Sequence, residues 1–311
     1  MCSDHVPVLC DQVVEWLRPC APGLLVDATV GAGGHAAALL DVEPGFRLLG
    51  IDRDPEAVAT ARRRLAPHEP RLHLVQSAFD DLQELLSELA LPRPSAILAD
   101  LGCSSLQLGD GKRGFSFLLD GPLDMRMGGD GPTAADLVNG ASEDELVTAL
   151  REYGEERRAR AVARAIVRER RRSPILTTGQ LSSLVERVVG WSPDRHIHPA
   201  TRTFQAIRIA VNDELGQLDR FLEPAARSLR PGGRLAVISF HSLEDRRVKH
   251  TLRRLEGRCV CPPELPECRC SPEAVVRVLT RRVVKPSADE VEANPRSRSA
   301  RLRVAERRGE V

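Results

Sequence analysis

"VDATVGAGGHAAALL", residues 26–40, decides how the rest of this chain is read. An apolar run ends in an acid, and Gly31, Gly33 and Gly34 fall within four positions before a small-residue helical pattern that His35 begins. A strand that enters a helix through a glycine turn opens a βαβ unit. Glycine permits positive φ and lets backbone come close to a ligand. The turn reads Gly-Ala-Gly-Gly-His and lacks the six-residue dinucleotide fingerprint, so a pyrophosphate on the helix N-terminus is the less expected occupant.

Outward from this turn, short apolar runs predict strands at 24–30, 47–52, 71–76, 95–101 and 234–240. The first four alternate with helical patterns such as 55–65, where Pro55 suits a first helical position. That rhythm implies an α/β fold, a mostly parallel sheet covered on both faces with right-handed crossovers. More than 130 residues separate the fourth and fifth strands, far beyond a usual crossover. Within the gap, Ser142 with Glu145 and Thr177 with Gln180 have capping-box spacing. Ala159, Val162, Ala163, Ile166 and Val167 share one helical face. The predicted organisation is a core over 1–105, an inserted helical subdomain over 106–204, and the rest of the core over 205–311. A helix at 215–229 returns to the core, "RPGG" at 230–233 turns into the fifth strand, and 274–284 with 299–308 form a closing antiparallel pair.

The chain has 311 residues, 42% hydrophobic and 29% charged, the profile of a soluble globular protein. No apolar run approaches the ~20 residues that span a bilayer. The first residues lack a basic stretch followed by an apolar one. A cytoplasmic protein with no membrane partner is the expectation. The net charge of +1 does not point to nucleic acid, but the distribution is uneven. Residues 155–172 hold eight Arg against three Glu, and 277–311 hold ten Lys or Arg against five acids. Such excesses can grip phosphates or form a solvated face and tail. Eight Cys in a cytosolic chain read as thiols or metal ligands rather than disulfides. Cys259, Cys261, Cys268 and Cys270 could bind zinc, but their spacing is not a common one, and no metal is assigned.

Ligands of open parallel sheets bind outside the C-terminal strand ends. Asp52 ends the second predicted strand, where a carboxylate takes ribose hydroxyls of NAD or S-adenosylmethionine alike. Asp100 ends the fourth, and Phe79 follows the third. An acid after strand four with an aromatic wall suits an adenosyl ligand bearing an amino-acid tail better than a dinucleotide. With Pro231-Gly232-Gly233 before strand five, the chain resembles the Rossmann-like class I S-adenosylmethionine-dependent methyltransferases.

Longer words narrow the resemblance. "RGFSFLLDGPLDMRM" (113–127), "TFQAIRIAVNDEL" (203–215), "ISFHSLEDRRVK" (238–249) and "NPRSRSARLRV" (294–304) resemble the bacterial RsmH (MraW) family. Its members methylate N4 of a cytosine in the decoding region of small-subunit 16S ribosomal RNA. The resemblance runs from "HVPVL" at 5–9 almost to the C-terminus. It implies S-adenosyl-L-methionine as cofactor and 16S ribosomal RNA in the small ribosomal subunit as partner. It also implies Gly33, Gly34, His35, Asp52, Phe79, Asp100 and Gln107 as cofactor-site residues. A homodimer is compatible with it. Cys103 departs from a more usual Val; N-methylation needs no enzyme adduct, so it is read as a small hydrophobe.

For chemistry, the Asn/Asp-Pro-Pro-Tyr word of many amino-methyltransferases is absent, and Asp100-Leu101-Gly102-Cys103-Ser104-Ser105 stands in its place. Carbonyls of this turn, with Ser104 or Ser105, are candidate acceptors for the amino protons. His241 is either a proton acceptor or a structural histidine at a strand end. Phe115 and Phe117 either stack on an unpaired base or pin the insertion. Two alternatives stay open: an amino-methyltransferase for DNA or another RNA, and a non-catalytic RNA-binding scaffold.

Overall fold

The computed structural model describes residues 7–190, 198–259 and 273–309. Its strands are β1 (Gly23–Asp27), β2 (Phe46–Asp52), β3 (Leu72–Gln76), β4 (Ala96–Asp100), β5 (Arg234–Ser239), β6 (Val276–Val278) and β7 (Arg301–Arg307). They form one sheet in the order β3-β2-β1-β4-β5-β7-β6. β1 to β5 are parallel, and β7 runs antiparallel to both β5 and β6. This is the expected Rossmann-like, mostly parallel arrangement. The chain first builds outward from β1 to β3, then returns to place β4 on the other side of β1. The switch point therefore lies between β1 and β4, where such sheets bind ligands.

Burial on both faces explains the near-continuous apolar strands. Leu24 and Val26 pack with Leu218, Phe221, Leu222 and Leu252 on one face. Leu25, between them in sequence, packs with Leu17, Leu39 and Leu65 on the other. Each fully buried leucine contributes roughly 1.5–3 kcal/mol. Register then levels the strand ends: Asp27 pairs with Gly50 and with Leu98, and Asp100 pairs with Ile238. β1 is shorter than the predicted 24–30 because the chain turns at Asp27, whose Oδ1 accepts from the amide of Thr29 at 3.3 Å.

The described residues fall into two compact units, 103–214 and the parts on either side of it. The helical unit thus begins three residues before the predicted boundary and extends ten beyond it. The reason is the helix Thr201–Asn212, whose Phe204, Ala206 and Ile207 pack with the insertion's own core. Asn212 fastens that helix to the 125–127 segment early in the insertion, donating to Met125 O at 2.8 Å and accepting from the Met127 amide at 2.9 Å. Capping boxes start the helices Glu143–Glu152 at Ser142 and Thr178–Val189 at Thr177. The Arg-rich segment forms the helix Ala159–Arg170, with Ala159, Val162, Ala163 and Ile166 buried and Val167 partly so. Phe115 is buried in this core. Phe117 stacks on His198 with centroids 4.5 Å apart and meets Phe204 edge-on at 5.5 Å. Both phenylalanines therefore serve the insertion's own packing.

Five of the nine arginines in 277–311 are tied to the sheet and its covering helix, whereas Arg281, Arg282, Arg296 and Arg298, with Lys285, are exposed. Arg301 and Arg303 pair with Asp245 at 3.0 and 2.7 Å. Arg307 and Arg308 donate to the carbonyls of Val275 and Val276, and Arg277 pairs with Glu306. Cys259 is exposed, while Cys261, Cys268 and Cys270 lie outside the described residues. No helix among the described residues is long and apolar enough to cross a membrane.

Candidate functional site

The turn after β1 is built on backbone that only glycine adopts cheaply. Gly31 and Gly33 have φ of +52° and +76°. Gly33 caps the helix Gly34–Val42, one residue earlier than His35. A side chain on Gly33 would also press Leu65 at 3.2 Å. The amide of Val30 donates to Ile51 O on β2 at 2.8 Å, so the turn is laid against the neighbouring strand.

Asp52 completes that fastening. Its Oδ2 accepts from the Gly31 amide and its Oδ1 from the Asp54 amide, both at 2.9 Å. Burial raises its pKa while these two amides hold it down. Each oxygen keeps a second lone pair, so the carboxylate can still accept a ligand hydroxyl. Phe79 follows β3 and meets Phe221 edge-on, centroids 5.1 Å apart, as an apolar wall. The β3 exit is joined to this corner, since the Ser77 amide donates to Asp52 O at 3.1 Å.

Asp100 ends β4. Its amide donates to Thr29 Oγ1 at 2.7 Å, which ties the β1 and β4 exits together. Its side chain keeps 26% of its surface. Oδ2 lies 3.8 Å from His35 Nδ1, and Oδ1 is closed off with no hydrogen-bond partner. Burial, then the charges of Asp27 and Glu244, raise its pKa well above the usual carboxylate range. A buried acceptor left without a donor is costly, and a cationic or N–H-bearing ligand relieves that cost.

Asp27, unassigned by the sequence, belongs to the same cluster. It is buried at the end of β1, and burial pushes its pKa to about 7, against the Thr29 amide and with Asp52 adding to the rise. The visible signal was an acid closing an otherwise apolar strand. His35 is also buried, with Nε2 donating to Val8 O at 2.8 Å, so its ring packs inward rather than into open solvent. His241 caps the helix Ser242–Leu255. Its Nδ1 accepts from the Glu244 amide at 3.4 Å, leaving the ring proton on Nε2, 3.2 Å from Glu244 Oε1 without hydrogen-bond geometry. That lone pair is engaged in the helix cap.

The remaining candidates lie in the helical unit. Ser104 caps the short helix Ser105–Gly109: its Oγ accepts from the Gln107 amide at 3.2 Å, and its amide donates to Gln107 Oε1 at 2.9 Å. Gln107 is 4% exposed. Cys103 Sγ accepts from Arg208 at 3.3 Å, and Arg208 is paired in two-pronged fashion with Glu214 at 2.7 and 2.8 Å. Burial raises the Cys103 thiol against the pull of Arg208, so it stays protonated and is no nucleophile. On the helix Ala159–Arg170 and on either side of it, Arg157, Arg160, Arg168, Arg171 and Arg172 are exposed, whereas Arg164 pairs with Glu143 and Arg158 and Arg170 donate to backbone carbonyls.

Three carboxyl groups at one strand edge, each with its pKa raised by burial, offer oxygens to the hydroxyl and N–H groups of a ligand. The comparisons with known proteins agree. Residues 2–308 match the model of the MraW methylase family. The ribosomal RNA small subunit methyltransferase H of Methylorubrum populi is 52% identical over 304 residues, 97% of this chain and 87% of that protein. Proteins of the same name from Symbiobacterium thermophilum and Syntrophus aciditrophicus are 51% and 48% identical, over 97% and 98% of this chain and 96% and 98% of theirs. Matches of this extent leave no part of the fold unaccounted for: the chain belongs to the MraW methylase family.

Proposed function

We propose that this protein transfers the methyl group of S-adenosylmethionine to N4 of a cytosine in the decoding region of 16S ribosomal RNA, within the small subunit and in the cytoplasm. The observation that carries the reading is the unpartnered, buried Oδ1 of Asp100 at the switch point of the sheet. It fits the donor set such a cofactor requires: an acceptor for cationic or N–H groups, beside a second carboxylate, Asp52, for ribose hydroxyls. When bound, the cofactor supplies a methyl group already activated on a sulfonium.

The protein's own task is positioning and electrostatics. Gly31, Gly33 and Gly34 bring backbone close to the ligand, Asp52 holds the ribose, and Phe79 forms an apolar wall. The resemblance adds Gln107 to the cofactor's surroundings. The cytosine amino lone pair is delocalised into the ring, so acceptors for its protons would localise it for attack. Asp100 and the carbonyls of the following turn are those acceptors in this reading, with Ser105; the Ser104 hydroxyl already serves its helix cap. The base must leave its stack to be reached. Exposed arginines from Arg157 to Arg172 take the RNA phosphates.

The test is transfer of a tritiated methyl group to small subunits from cells lacking this protein, followed by nucleoside analysis. The expected label is on N4-methylcytidine. Label on any other nucleoside, or on DNA alone, overturns the target, and absence of transfer despite RNA binding favours a scaffold.

A further inference from the structure

One peptide group on the outer side of the glycine turn is clamped from both ends. The carbonyl of Val8 accepts from His35 Nε2 at 2.8 Å, and the amide of the same peptide, that of Leu9, donates to Glu290 Oε1 at 2.7 Å. Glu290 stands in the helix Ala288–Ala293, 281 positions away in sequence. A carboxylate acceptor at this distance makes a charge-assisted bond, about twice as strong as a neutral one. Leu9 needs such a hold: it is fully buried and has φ +55°, a left-handed conformation that costs a side-chain-bearing residue about 1–2 kcal/mol.

The clamp bears directly on the turn. Pro7 lies so close to Gly34 that a Cβ there would sit 2.5 Å from its ring. His35 connects the two sides. Nδ1 of the same ring lies 3.8 Å from Asp100 Oδ2. Glu290, the Val8–Leu9 peptide and the His35 ring thus form one chain of contacts that ends beside Asp100.

We propose that Glu290 is a positioning residue for methyl-donor binding, holding the Val8–Leu9 peptide so that His35 and the glycine turn keep the orientation the donor requires. The proposal rests on the reading of this edge as the donor site.

The test compares Glu290→Ala and Glu290→Gln in the full chain, by calorimetric titration with S-adenosylmethionine and S-adenosylhomocysteine, steady-state kinetics, and hydrogen exchange of the Leu9 amide without ligand. Glu290→Ala should speed exchange at Leu9, weaken donor binding about tenfold, the loss of one charged hydrogen bond, and raise KM for the donor in proportion, with the effect on KM rather than kcat. Glu290→Gln keeps an acceptor oxygen and should recover most of the affinity. Faster Leu9 exchange with unchanged donor affinity refutes the proposal. So does a loss of kcat and thermal stability shared by both variants, which marks a merely structural role. If the unaltered protein takes up no donor, the site reading itself falls; normal uptake with an indifferent Glu290→Ala removes this proposal alone.

Discussion

Gly31 and Asp52 are joined by a hydrogen bond, amide to Oδ2 at 2.9 Å, that fastens the turn after β1 to the end of β2. The same carboxylate takes the Asp54 amide, so one side chain organises both backbone segments that face the proposed ribose. Asp52→Ala leaves two amides without their acceptor. Each costs about 1–3 kcal/mol if left unsatisfied, so donor affinity should fall by at least tenfold together with a lower urea midpoint. Asp52→Asn retains one acceptor oxygen and should fall between. Unchanged calorimetric affinity in the alanine variant would separate Asp52 from the ligand.

Asp27 makes the stability of the fold depend on pH with a definite sign. Its pKa is about 7 in the folded chain and about 3.9 when unfolded. Between those values the native state holds a proton that the unfolded state has released. Stability from this residue is therefore full below about pH 4 and lost as pH rises toward 7. At about 1.4 kcal/mol per unit, the whole swing is a few kcal/mol. Asp27→Asn, which cannot ionise, should exceed the unaltered protein in urea midpoint at pH 8, with the gap shrinking at pH 5. A gap that widens on acidification contradicts the assignment.

His241 is expected to matter for stability and not for turnover. Removing a helix cap costs about 1 kcal/mol, so His241→Ala should lower the melting temperature, while His241→Asn, itself a good cap, should restore it. At saturating substrate kcat should be unaltered in both. A drop in kcat that Asn does not rescue would return the imidazole to the chemistry.

The exposed arginines give a salt-dependence prediction. Each phosphate contact contributes about 0.7–0.9 to the slope of log affinity against log salt. Replacing Arg160, Arg168 and Arg171 by Gln should flatten that slope by about 2 in filter binding to ribosomal RNA, leaving donor affinity unchanged. An unaltered slope would place the RNA elsewhere.

Much of this was legible in the sequence because it is encoded locally. The strand runs, the Gly31-to-Gly34 turn and the caps at Ser142 and Thr177 each depend on residues within a few positions of one another. Asp52 and Asp100 were legible for a related reason, since parallel register brings strand-end residues to one edge whatever the intervening chain does. The roles of Asp27, His35, His241 and Glu290 were not legible. An acid, a histidine or a glutamate gains its role from what faces it, and here the distant facing groups come from 25 to 281 positions away, or, for His241, depend on which ring nitrogen the helix amide engages. The C-terminal arginines show the same division. Composition made them a basic tail, whereas Asp245 and the carbonyls of Val275 and Val276 hold Arg301, Arg303, Arg307 and Arg308 and leave Arg281, Arg282, Arg296 and Arg298 exposed. Sequence alone determined the order of elements and the edge at which Asp52 and Asp100 stand, because period and turn chemistry are short-range. Only the tertiary structure decided which polar groups are satisfied and which, like Asp100 Oδ1, are buried without a hydrogen bond, because desolvation and hydrogen bonding depend on groups that folding brings together.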